Sequence, residues 1–272
     1  AVAATYLASM ICCAGCAGSA TGFDAIAEGY GLIRETVAGD PFIHVVYRPR
    51  AQPAMHESAS LHVYLTGDGR PYVRRSLAAA DPTPRHPVIP ALMALDPAPR
   101  LLLGRPCYHG LADAPGCEPA IWTKARYGDA VVTSLAAALR RLNPERRPLR
   151  LVGHSGGGAL AVLLSRRLPN VTDVITLAGN LDPDAWTAHH GLSPLHGSMN
   201  PLADGALPER IAQAHYAAAR DSNVPVALLR PAAQRLGSTL RVLPDTGHRS
   251  GWSAHWRRIL RSLDAPRGRG SQ

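Results

Sequence analysis

Arg150-Leu151-Val152-Gly153-His154-Ser155-Gly156-Gly157 is the stretch on which the fold turns. A short apolar run, Arg150–Val152, leads into Gly-x-Ser-x-Gly, and an apolar helical pattern begins near Gly157. A strand that passes through one sharp turn into a helix needs small neighbours, because the backbone folds back on itself. Glycines at 153, 156 and 157 supply them. The Ser155 hydroxyl is then presented at the carboxyl end of a strand. The helix N-terminus behind it favours developing negative charge. The plain alternative is an ordinary Gly-rich loop. A phosphate-binding loop is disfavoured, because no Lys follows the glycines.

Outward from this turn, short apolar runs alternate with longer helical patterns. The runs predict strands at Leu32–Val37, Phe42–Tyr47, Leu61–Leu65, Arg100–Leu103, Leu149–Val152, Val174–Leu177, Gln213–Ala217 and Thr239–Leu243. Helical patterns cover Pro87–Leu95, Asp129–Leu142, Gly157–Leu168, Val224–Leu236 and Ser253–Leu263, with Pro144, Pro148 and Pro169 punctuating their ends. The later strands are uninterrupted rather than alternating, as in a parallel sheet covered on both faces. The expected class is α/β, with a mostly parallel sheet of about eight strands and an antiparallel N-terminal edge. One domain is expected over 21–264, followed by a polar, Gly-rich tail over 265–272.

Composition narrows the function classes. With 46% of its 272 residues apolar and 18% charged, the chain can bury a full core, which argues against disorder, collagen and coiled coil. No apolar run is long enough for a confident span, so a multi-span membrane protein is excluded. The net charge is +9, and Lys124 is the only lysine. The arginine pairs 140/141, 146/147, 166/167 and 257/258 fall near predicted helix ends, where cations suit the helix dipole. No basic stripe is interleaved with aromatics, so nucleic acid is not an expected partner. Loose attraction to an anionic lipid or polymer stays open.

A serine hydroxyl needs a base, and the base needs a third group to orient it. Asp221 follows the seventh apolar run, in Asp221-Ser222-Asn223-Val224-Pro225. His248 follows the eighth, in Asp245-Thr246-Gly247-His248. The order Ser155, Asp221, His248 thus places each residue just past a strand. Here the chain resembles the α/β-hydrolase family, over roughly Leu61 to Leu263, and within it bacterial envelope hydrolases. Asp221-x-x-Val224-Pro225 looks like that family's acid turn and Gly247-His248 like its histidine loop. The resemblance implies a Ser155–His248–Asp221 triad and an oxyanion hole of backbone N–H groups from Gly156 and Asp68, the latter in Thr66-Gly67-Asp68-Gly69-Arg70. Thr66 stands where the family has His. The competing reading of Asp221 is a helix cap. Asp182, past the sixth run, is the alternative acid. Among the other histidines, His62 is expected to be structural and His154 to point away from Ser155. Arg105, Tyr108, Trp122, Arg126, Trp186, His189 and His190 are candidates for the pocket, and the long Gly179–Pro208 stretch for its wall. No cofactor is expected. No metal is either, because two cysteines without fitting histidines do not complete a ligand set.

The small apolar stretch over 1–20 reads as a secretory signal. Within it Cys13-Ala14-Gly15-Cys16 resembles a bacterial lipobox, which makes Cys16 the lipidation candidate and implies membrane attachment through an N-terminal lipid. The expected location is the cell envelope. Cys107 and Cys117 remain, ten apart in a loop. In an exported protein they read as a disulfide worth ~2–3 kcal/mol, and otherwise as two buried thiols. Three functions share the fold: a serine hydrolase of an ester or similar acyl bond, a peptidase or acyltransferase on the same triad, and a non-catalytic envelope binding protein.

Overall fold

The computed structural model describes residues 19–51, 59–74 and 76–264. Cys16, with the rest of the proposed signal over 1–18, and the 265–272 tail lie outside the described residues. In chain order the elements are α1 (Ser19–Gly29), β1 (Leu32–Ala38), β2 (Ile43–Pro49), β3 (Leu61–Leu65), a small hairpin of β4 (Tyr72–Arg74) and β5 (Leu77–Ala78), α2 (Ile89–Ala94), β6 (Arg100–Leu103), α3 (Pro119–Trp122), α4 (Asp129–Leu142), β7 (Leu149–His154), α5 (Gly156–Arg167), β8 (Val171–Leu177), α6 (Pro183–His189), β9 (Ala212–Ala218), α7 (Val226–Arg235), β10 (Leu240–Leu243) and α8 (Trp252–Asp264).

Uninterrupted apolar strands require cover on both faces, and the sheet has it. Its order is β1-β2-β6-β3-β7-β8-β9-β10. The β1–β2 and β2–β6 pairs are antiparallel, and all others are parallel. The two-residue period of a strand sorts the core. Leu61, Val63 and Leu65 of β3 join α4, α5 and α7 on one face. Tyr64, between them, joins α1, α2 and α8 on the other. The charge pattern of α4 follows the helix dipole, with Asp129 in its first turn and Arg140 and Arg141 in its last. Arg166 and Arg167 close α5 in the same way. Arg257 and Arg258 do not follow the expectation, since they lie midway along α8.

Four elements have no counterpart in the sequence reading: α1, α3, α6 and the β4–β5 hairpin. Among the residues of α1 whose burial is described, only Phe23 and Ala27 are buried, one turn apart, which is too little apolar periodicity to announce a helix. Among the described residues no helix is long and apolar enough to cross a membrane. The parallel strands β3, β7, β9 and β10 end at the same edge of the sheet, where α/β folds form their ligand crevice. The loops after these four strands build the site.

Candidate active site

The turn after β7 is strained and firmly held. Ser155 has φ 55° and ψ −124°, in the positive-φ region that a residue with a Cβ rarely adopts. Its N–H donates to the Leu177 carbonyl, and its own carbonyl accepts from the Gly158 and Asn180 N–H groups. Glycine is required at 157 because a Cβ there would lie 2.2 Å from the Leu65 carbonyl oxygen. The result is a serine 9% exposed at the floor of a cleft.

His248 bridges Ser155 and Asp221. Its Nε2 is 3.1 Å from Ser155 Oγ, and its Nδ1 is 2.7 Å from Asp221 Oδ2. The Asp221 side chain is fully buried. Its other oxygen accepts from the Asn223 and Val224 N–H groups at 2.8 and 2.9 Å, which fixes the turn ahead of α7. Asp221 does not cap that helix, whose N-cap is Pro225. With the carboxylate on Nδ1, the imidazole carries its proton there and turns a lone pair toward the serine hydroxyl. Asn223 Nδ2 also approaches Nε2, at 3.0 Å. His154 supports the base from behind. Its Nε2 is 2.7 Å from the His248 carbonyl oxygen, and the two rings lie 5.0 Å apart. Burial, followed by the nearness of His248, holds His154 down at about 4, so it stays neutral.

Asp182 is not brought to His248. It caps α6, with Oδ1 accepting from the Ala185 N–H and from Asn200 Nδ2. Asp245 pairs with Arg220. His62 is held by Asp96, which Tyr64 also contacts. A second serine–histidine contact exists, between Ser134 Oγ and His44 Nε2 at 2.8 Å. Both are fully buried away from the cleft, and Ser134 Oγ also receives the Asp40 and Phe42 N–H groups. Together these contacts tie α4 to β2 and to the turn before it.

The β3 loop packs directly on the nucleophile. A Cβ on Gly67 would lie 3.0 Å from Ser155 Cβ, and one on Gly156 would lie 1.9 Å from Asp68 Oδ1. The Asp68 N–H donates to no described residue, and Gly156 opens α5, where no preceding turn uses its N–H. Among the described residues neither predicted oxyanion donor has a backbone hydrogen-bond partner. Asp68 is gripped at each end. Its carboxylate receives Arg105, Arg126 and Tyr127, and its carbonyl accepts from Tyr108 Oη at 2.9 Å. Burial alone would raise this carboxyl, but the two guanidiniums and the Tyr127 hydroxyl hold it at about 2. The Asp68 side chain was not legible as a functional group in the sequence, where only its N–H was considered.

The cleft has a volume of about 970 Å³. Of the predicted pocket residues, Arg126, Trp186 and His190 line it. Trp186 Nε1 and His190 Nε2 both reach the Asn223 carbonyl at 2.8 Å. Arg105 and Tyr108 lie behind the wall, on Asp68. Trp122 packs against Cys107, Tyr108 and Phe42, and His189 is exposed outside the cleft. Residues missed in the sequence are Asn223, Tyr127 and Asn180. Cys107 and Cys117 form a disulfide, with Cα atoms 5.5 Å apart. Among the described residues no cluster of metal-ligating side chains occurs.

No protein-family model and no curated protein sequence matches the chain. Solved structures do. A hormone-sensitive-lipase homologue from a metagenome library shares 14% identity at a TM-score of 0.57, over 92% of this chain and 93% of that one. A proline iminopeptidase-related protein from Thermus thermophilus gives 14% and 0.57, over 85% and 98%. An α/β serine hydrolase without a lid from Xanthomonas campestris gives 12% and 0.55, over 85% and 94%. Strand order, the turn at Ser155 and these likenesses together establish that the chain has the α/β-hydrolase fold.

Proposed function

We propose that the protein is a serine hydrolase that cleaves an ester or related acyl bond. The observation that carries this reading is the unbroken chain from Asp221 through His248 to Ser155 at the floor of an open cleft. Ser155 Oγ attacks the acyl carbon as its proton passes to His248 Nε2. The carbonyl oxygen takes up the electron pair and is met by the Gly156 and Asp68 N–H groups. His248 then returns the proton to the leaving oxygen as its bond to carbon breaks. Water, activated by the same histidine, releases the acyl group from Ser155. Asp221 keeps the imidazole in the required tautomer throughout.

Intact-mass detection of fluorophosphonate labelling tests the reading. A single adduct is expected on the wild type and none on Ser155→Ala. Ser155→Ala and His248→Ala each abolish turnover and leave the circular-dichroism melt nearly unchanged. An ester, amide and thioester panel separates the ester preference proposed here from peptidase activity. Absence of an adduct on folded wild type would overturn the reading in favour of a non-catalytic binding protein.

A further inference from the structure

The cleft wall beside Ser155 places two guanidiniums on one carboxylate. Arg105 and Arg126 are 1% and 4% exposed, and both pair with a single carboxylate, Asp68. The tyrosines that complete the cluster stay neutral, because burial pushes Tyr108 up to about 12 and Tyr127 well above its ordinary value. A guanidinium does not shed its proton. The cluster therefore keeps a net positive charge, which is costly for a buried group without a counter-charge.

Arg126 is the member that lines the cleft with Ser155. Its Nε donates to the Thr123 carbonyl at 2.6 Å, and one terminal nitrogen donates to Asp68 Oδ2 at 3.1 Å. The other terminal nitrogen has no partner among the described residues. Among the described residues Asp68 is the only acidic one lining the cleft, and both its oxygens are occupied. Arg70, Arg85 and Arg249 stand exposed at the rim, and none pairs with a carboxylate among the described residues. A chain of net charge +9 places arginines on many surfaces, so the rim alone decides nothing. Arg126, held by Asp68 and Thr123 with one terminal nitrogen left open to the cleft, does.

Resting on the serine-hydrolase reading, we propose that the acyl substrate carries an anionic group, a carboxylate or a phosphate, near its scissile carbonyl, and that Arg126 receives it. Guanidinium donors make short, charge-assisted hydrogen bonds to such oxygens. The rim arginines draw the same charge toward the cleft.

The test is calorimetric binding to the full chain carrying Ser155→Ala. The probes are glutaric acid mono-anilide, a phosphonopropionic anilide and uncharged hexananilide. At least one anionic amide is expected to bind about tenfold tighter than the uncharged one, with a preference that shrinks as salt rises. Adding Arg126→Gln removes the preference, and Arg126→Lys restores part of it. Equal or tighter binding of hexananilide overturns the proposal, and this comparison decides the matter even where an Arg126 variant does not fold. The tighter of the two anions names the group. Fluorophosphonate labelling of Ser155 is scored separately. An anion preference without labelling leaves the anion site standing and removes the hydrolase reading, and labelling without a preference does the reverse.

Discussion

Ser155 holds a backbone conformation that costs about 1–3 kcal/mol, and its surroundings over-determine it. The Leu177 carbonyl fixes one side of the residue, and the Gly158 and Asn180 N–H groups fix the other. At this scale the sharpest test is Asp221→Asn. An amide offers the imidazole a donor as readily as an acceptor, so the tautomer that frees Nε2 loses its support. Turnover is expected to fall roughly 10²–10⁴-fold with little change in KM, measured by steady-state kinetics on the best ester of the panel. Asp182→Asn is the contrast. It alters the cap of α6 rather than the base, so it is expected to leave kcat nearly intact. Equal losses in the two variants would remove Asp221 from its role.

The elements cooperate through side chains far apart in sequence. Arg105 follows β6, Arg126 and Tyr127 precede α4, and Asp68 follows β3, so the grip on Asp68 spans 37 to 59 residues. Replacing Arg105 with Met removes one of two cations from a buried cluster. It is expected to cost ~3 kcal/mol in urea unfolding, the low end for a broken buried pair, because Arg126 and Tyr127 remain. It is also expected to lower kcat more than it raises KM, because the loop that offers the Asp68 N–H loosens. Unchanged stability would show that the cluster is solvated rather than buried. This level of organisation is also where the sequence was least readable. The turn at Ser155 announced itself because strand, glycines and helix are contiguous. Asp221 and His248 followed from their places after successive strands. The partners of Asp68 share no local pattern, and α1 shows too short an apolar stripe.

Across the whole molecule, four buried histidines respond to acid together. Burial pushes His44, His154 and His215 down to about 4 and His109 to about 3. In the unfolded chain each titrates near its ordinary ~6.5. Between these values the unfolded state binds more protons, so stability falls as pH drops below ~6.5 and continues to fall to about 4. Near pH 5 unfolding is expected to take up between about three and four protons, read from the pH dependence of the urea midpoint. Asp68 acts in a lower window. Its carboxyl is depressed in the fold, so its contribution is complete above ~4 and is lost only as pH approaches 2. A urea midpoint independent of pH between 6.5 and 5 would contradict the histidine account. The strand pattern made this layered architecture legible in advance, because parallel strands covered on both faces leave uninterrupted apolar runs. The histidines were not legible as a group, since nothing local distinguishes a buried imidazole from an exposed one.

Cys107 sits between Arg105 and Tyr108, the two residues that hold Asp68 from behind, and its bond to Cys117 closes a loop that contains Tyr108 and begins two residues after Arg105. That loop stands outside the sheet, whereas the sheet's own hydrogen bonding runs independently of it. Electrons delivered to this one bond would therefore reach the chemistry before they reach the architecture. Dithiothreitol followed by iodoacetamide is expected to leave the far-ultraviolet spectrum in place while turnover declines, which would make the molecule fully competent only in an oxidising surrounding.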